Sequence, residues 1–99
     1  MNTEDLHGIN EFEWDAGNDE KNLRKHGVIW VEAEELFFNE PLLLFKDISH
    51  SDHESRQYCL GHTDRGRRLF IAFTIRNNKI RVISARDMSK KERDNYGQA

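Results

Sequence analysis

The chain has 99 residues, a net charge of -3, a single cysteine and a mean hydropathy of -0.87. That length forms one small domain with a lean core, and Cys59 alone excludes an intrachain disulfide and points to a reducing compartment. No apolar run reaches membrane-spanning length, and Met1-Asn-Thr-Glu-Asp5 lacks the charged and apolar regions of a secretory signal, so a cytoplasmic protein with no membrane role is expected.

The modest total charge hides a polarity along the chain. Residues 1–20 carry seven acids and no lysine or arginine, whereas residues 61–99 carry ten bases and four acids. The local field steers an anionic partner more than the total does, so the pI does not argue against nucleic acid.

Residues 1–10 read as a mobile polar lead-in to a single domain over 11–99. Glu11–Asp15 alternates polar and aromatic residues, which predicts a short strand with Phe12 and Trp14 inward. Asn18 or Asp19 can cap a helix that ends near His26, with acids in its first turn, bases in its last and Gly27 as its stop. A second helix follows through Phe38, with Trp30, Ala33 and Phe37 on the buried stripe and Glu32 and Glu35 outward. Asn39-Glu-Pro41 ends it, Leu42–Asp47 is a short strand, and Ile48–His53 reads as a loop.

Glu54–His62 alternates again, with Glu54, Arg56, Tyr58 and Leu60 on one side and Ser55, Gln57, Cys59 and Gly61 on the other. The next two strands flank Asn77-Asn78, a pair suited to a two-residue hairpin turn. That register puts Leu69, Ile71, Phe73, Ile75, Ile80 and Val82 on a core face. Arg68, Phe70, Ala72, Thr74, Arg76, Lys79, Arg81 and Ile83 fall on the other. Ser89-Lys-Lys-Glu92 is a capping box that opens a last helix through Arg93 and Tyr96. The predicted order is β-α-α-β-β-β-β-α, an α+β fold with helices packed on a mainly antiparallel sheet.

Several groups could carry chemistry. Arg76, Lys79 and Arg81 share a strand face and Arg86 follows, a cation set able to bind phosphate oxygens. The same residues could equally form a solvated, solubilising sheet face. Glu54 beside Arg56 could act as a base or form a simple ion pair. Lys25-His26 ends the first helix, where a proton carrier and a phosphate ligand compete with a plain interaction with the helix dipole. Tyr96, one turn from Arg93, could stack on a base or only pack. His50-Ser-Asp-His53 matches no specific zinc spacing, and Cys59 reads as a small buried hydrophobe. These residues alone do not decide between an enzyme and a binding module.

Phe12-Glu-Trp-Asp15, Asn22-Leu-Arg-Lys-His-Gly-Val28, Glu32-Ala33, Phe37, Glu54-Ser-Arg56, Gly61, Ile80-Arg-Val-Ile-Ser-Ala-Arg86, Glu92-Arg93 and Tyr96 occur in this order. The set resembles the BrnT family of toxins from type II toxin–antitoxin systems, over residues 12–96. Ile29-Trp30 and Met88 depart from that pattern and leave the charged set intact.

The resemblance implies a RelE-like fold and a metal-independent endoribonuclease that needs no cofactor and inhibits translation. It also implies neutralisation by a BrnA-like ribbon-helix-helix antitoxin, through which alone the complex would touch operator DNA and repress its own operon. It further implies that Arg76, Arg81 and Arg86 bind the scissile phosphate with help from Lys25. Glu54 or His26 would be the base, and His26 or Tyr96 the acid, with Arg56, Lys79 and Arg93 as further RNA contacts. Two rivals stand beside it: a non-catalytic partner-binding module, and a metal-dependent nuclease built on His50, Asp52 and His53.

Overall fold

The computed structural model of the chain describes residues 11–14, 16–47 and 56–98. Its elements are β1 (Glu11–Glu13), α1 (Ala16–His26), α2 (Trp30–Leu36), β2 (Leu43–Lys46), β3 (Arg56–His62), β4 (Arg68–Arg76), β5 (Lys79–Asp87) and α3 (Lys90–Gly97). The order matches the expected α+β layout. The strands form one five-stranded sheet in the order β1-β5-β4-β3-β2, antiparallel except for β1, which runs parallel to β5.

Alternation along the strands explains the core. Leu69, Ile71 and Phe73 of β4, Ile80, Val82 and Ala85 of β5, and Cys59 of β3 are nearly inaccessible, and Val28, Ala33 and Leu36 cover them from α1–α2. Phe12 and Trp14 join the edge of this cluster as predicted, and the Trp14 indole donates to Glu34 Oε2 at 2.7 Å. The Asn77-Asn78 turn has φ values of 53° and 62°, the left-handed pair that matches the twist of a two-residue hairpin. Gly61 lies under α2, where a Cβ would sit 3.1 Å from Leu36 Cγ and from Leu42 Cδ1.

Two helix readings are corrected. Helix α1 starts at Ala16, so Asn18 and Asp19 fall inside it; acidic residues suit a first turn as well as a cap. In α2 the buried residues are Ala33 and Leu36, with Phe37 just after it packed on Phe73 as expected, whereas Trp30, at the first residue of the helix, is exposed. Helix α3 keeps its capping box: Glu92 N–H donates to Ser89 Oγ at 3.2 Å, and Ser89 N–H donates to Glu92 Oε1 at 2.8 Å.

A bulge breaks the hairpin register. Phe73 opposes Val82 but Ala72 opposes Ser84, so Ile83 is an extra residue on β5. Every side chain beyond it changes face. Ala85 turns into the core and Arg86 turns out to the side that carries Phe70 and Arg81. The freed Ala85 N–H donates to Oδ1 of buried Asn22 on α1 at 3.2 Å, so the bulge is held by a helix rather than by water.

Arg67 ties the ends of four elements together. Its Nε and Nη2 donate to the two carboxylate oxygens of Asp87 at 2.8 and 3.1 Å. Nη1 and Nη2 donate to the carbonyls of Gly27 and His26 at 2.9 Å each, and Glu32 sits 3.3 Å from Nη1. The planar fork spreads five donors over three nitrogens and so reaches acceptors that three donors on the single nitrogen of an ammonium cannot span together. Arg67→Lys is therefore expected to lower stability by about 1–3 kcal/mol, read as a lower denaturant midpoint with an unchanged slope.

Candidate nucleic-acid interface

The two sides of the sheet differ. Helices α1 and α2 cover one; among the described residues, α3 alone covers the other, and only at one end, where Tyr96 packs with Leu60 and Met88. Strand pairing arranges the remaining surface in rows. Arg56, Thr74, Arg81 and Glu13 are consecutive neighbours across β3, β4, β5 and β1. Arg76, Lys79 and Glu11 form the row beside it, with Lys79 Nζ 3.8 Å from Glu11 Oε2. On the other side come Phe45, Tyr58, Ala72 and Ser84, then Leu43, Leu60, Phe70 and Arg86, and last His62 with Arg68.

The aromatic side chains of these rows stack. Phe45 and Tyr58 have ring centroids 4.9 Å apart at 17°, and Tyr58 and Phe70 lie 5.2 Å apart at 29°. The Arg86 guanidinium closes the stack, 4.0 Å above the Phe70 ring. Thr74 is 4% exposed, and its hydroxyl has no hydrogen-bond partner among the described residues, although it lies between Arg56 and Arg81. A buried hydroxyl left unpaired costs free energy.

The expected site residues separate into groups. Arg56, Arg76, Lys79 and Arg81 converge on the open face. Arg86 shares that face, but it lies two two-residue steps along the strands from Arg81, with the Tyr58–Ala72–Ser84 row between, about 13 Å of strand, so the two do not meet at one phosphate. Its fork is also committed, with Nη1 2.8 Å and Nη2 3.0 Å from the two Glu92 oxygens. Hydrogen bonding to Arg86 first of all holds the Glu92 carboxyl below its usual range, burial opposing this.

Tyr96 cannot stack on a base, since it is 6% exposed and inside a core cluster; burial pushes its hydroxyl pKa up. Lys25 and His26 do not join the cations. They end α1, which packs on the opposite side of the sheet, and the His26 carbonyl is already taken by Arg67. Arg93 is exposed on α3 and donates to the Met88 carbonyl at 2.9 Å. Burial raises the Cys59 thiol pKa far above neutrality, which leaves it an inert core residue. Glu54, His50, Asp52 and His53 lie outside the described residues, as does the lead-in 1–10.

The ring stack, Thr74, Arg67, Arg68 and His62 were not singled out from the sequence. Strand parity was the available signal for His62, which continues the Arg56, Tyr58, Leu60 side of β3; Phe45 becomes visible only once β2 is paired with β3.

The Arg86–Glu92 pair has a pH consequence. A carboxyl whose folded pKa is depressed stabilises the fold above its unfolded pKa, and the contribution is lost as pH falls through the folded value. Wild-type stability should therefore drop from about pH 4 downward, and Glu92→Gln should be less stable at neutral pH with a flatter acid limb, measured by urea unfolding across pH 2–7.

Comparison with known proteins follows the same direction. Residues 14–92 match the family described as the ribonuclease toxin BrnT of a type II toxin–antitoxin system. The crystal structure of the Brucella abortus ribonuclease toxin BrnT superposes with a TM-score of 0.59 at 19% identity, over 81% of this chain and 97% of that one, a likeness of fold. No curated protein matches the chain. With most of its length matched in sequence and its element order shared with a solved member, the chain belongs to the BrnT family of ribonuclease toxins of type II toxin–antitoxin systems.

Proposed function

We propose that this chain is an endoribonuclease that cuts RNA on the open face of the sheet by attack of the ribose 2′-hydroxyl, without a metal ion, and so stops translation in the cytoplasm. The observation that carries this is the Arg56–Thr74–Arg81 row with Arg76 and Lys79 beside it, next to a ring stack on the face that α3 covers only at one end. Guanidinium forks bind phosphate oxygens in pairs, and exposed ring edges accept the apolar parts of unpaired nucleotides.

Its chemistry follows from the substrate. The attacking oxygen belongs to the RNA itself, so the protein has to orient the ribose and phosphate, stabilise the added charge of the five-coordinate phosphorus and move protons. DNA lacks the nucleophile and would bind without being cut. Neutralisation would come from a BrnA-like antitoxin with a ribbon-helix-helix domain, and the pair would repress its own operon; membership in a toxin–antitoxin family supports the partner.

The test is direct. Single-stranded RNA, offered both naked and on translating ribosomes in EDTA-treated components restored with magnesium only where ribosomes require it, should yield fragments ending in 2′,3′-cyclic phosphate. RNA left whole in both settings would sink the reading. Arg81→Ala should weaken RNA binding about tenfold and flatten the log–log salt dependence by about 0.7, with the thermal midpoint within about 2 °C of wild type.

A further inference from the structure

Tyr96 has one hydroxyl hydrogen and two hydrogen-bonded neighbours. Its oxygen lies 2.5 Å from the Pro41 carbonyl oxygen and 2.7 Å from Nδ1 of His62. A carbonyl can only accept, so the hydroxyl donates to Pro41. The hydroxyl oxygen must then accept from His62, which places the hydrogen of a neutral imidazole on Nδ1. Nε2 is left with the lone pair. This is the arrangement by which a fixed acceptor on one ring nitrogen turns the other into a directed base.

The acceptor is itself held firmly. Tyr96 sits among Leu60, Met88, Leu43 and Phe70, on a helix whose start is fixed by the Ser89–Glu92 box and by the Arg86 ion pair. The Asn39 side chain fixes the His62 backbone as well, donating to its carbonyl at 3.0 Å. His62 is half-buried on the side of the sheet that carries the ring stack. Its partner across the strands is Arg68, which is exposed and has no ion pair among the described residues. An oriented imidazole and an available guanidinium thus stand side by side at the α3 end of the open face.

We propose that His62 is the general base of RNA cleavage, with Arg68 holding the scissile phosphate and Tyr96 positioning the imidazole. This rests on the ribonuclease reading above. Nε2 takes the proton of the ribose 2′-hydroxyl, and the 2′-oxygen bonds to phosphorus as the bond from phosphorus to the 5′-oxygen breaks. The departing 5′-oxygen takes a proton from water, and the imidazolium gives its proton back to solvent, so charge and atoms balance. The Arg56–Arg81 row lies three two-residue steps along the strands from His62, roughly 20 Å. Its cations then hold nucleotides flanking the cut rather than the cut itself.

The experiment compares wild type with His62→Gln, Tyr96→Phe and Arg81→Ala in RNA binding and in cleavage under the two conditions given above. Glutamine keeps a donor for the Tyr96 oxygen but cannot take up a proton. His62→Gln is expected to bind RNA within about threefold of wild type and to cleave it at least a hundredfold more slowly, the usual scale of lost acid–base catalysis. Tyr96→Phe, assayed where circular dichroism shows it folded, should lower kcat with KM nearly unchanged. In wild-type protein without RNA, nitrogen-15 NMR of the histidine side chains at a pH where the imidazoles are neutral should show the His62 hydrogen on Nδ1.

A wild type that cleaves while His62→Gln cleaves equally well overturns the assignment and leaves the nuclease reading standing. So does a His62→Gln that has lost binding along with cleavage, or a tautomer with the hydrogen on Nε2. A wild type that cuts no RNA under either condition overturns the nuclease reading itself, and this proposal with it.

Discussion

The guanidinium of Arg67 meets the C-terminal carbonyls of α1, the carboxylate of Glu32 on α2 and that of Asp87 at the end of β5, from a position one residue before β4. Helix ends leave carbonyls without intrahelical partners, and a cation there both donates hydrogen bonds and opposes the partial negative charge of the helix dipole. The same contact fixes where α1 stops and how far β5 runs. The pairing holds Asp87 below its usual carboxylate range, hydrogen bonding to Arg67 being the main cause. The partners of Arg67 lie 20 to 41 residues away along the chain, so the side chain links distant segments.

With that end closed, the sheet divides its work between two sides. One is filled by Leu69, Ile71, Phe73, Ile80 and Val82 under α1 and α2, and carries the stability of the domain. The opposite side is closed only at one end, where α3 packs Tyr96 on Leu60 and Met88, and its remaining surface carries cations and rings. The bulge at Ile83 contributes to both. It turns small Ala85 against α1, where Asn22 satisfies its N–H, and it turns Arg86 onto Phe70 and toward Glu92. A single inserted residue therefore connects the seating of α1 to the seating of α3 through opposite faces of one strand.

Charge is partitioned along the open side in the same way. At the α3 end Arg86 is bound to Glu92 and acts as a strut that keeps Tyr96, and through it His62, in place. Where the hairpin turns, Lys79 is loosely matched by Glu11, and both side chains are about half exposed, so the pair contributes little to stability. Fixed charges build the scaffold, while loosely held ones remain able to exchange partners with an incoming anion.

Much of the architecture was legible in the amino-acid order. The two-residue Asn77-Asn78 turn, the alternation of β3 and β4, the Ser89–Glu92 box and the succession of elements are local properties, set by backbone sterics and by neighbours within a few residues. The gathering of Arg56, Arg76, Lys79 and Arg81 on one surface followed from the same alternation. Which of the remaining candidates face that surface was decided elsewhere. Strand parity carried past Ile83 would send Arg86 into the core, and only the bulge reverses it. Lys25 and His26 lie behind the sheet because α1 packs on Ala85, and Tyr96 is a buried support because Pro41 and His62, 55 and 34 residues away, converge on its hydroxyl. Alternation and capping are short-range, so they could be read along the chain; bulges, ion pairs and hydrogen-bond relays join segments distant in sequence, and no local pattern encodes a partner that only folding brings near.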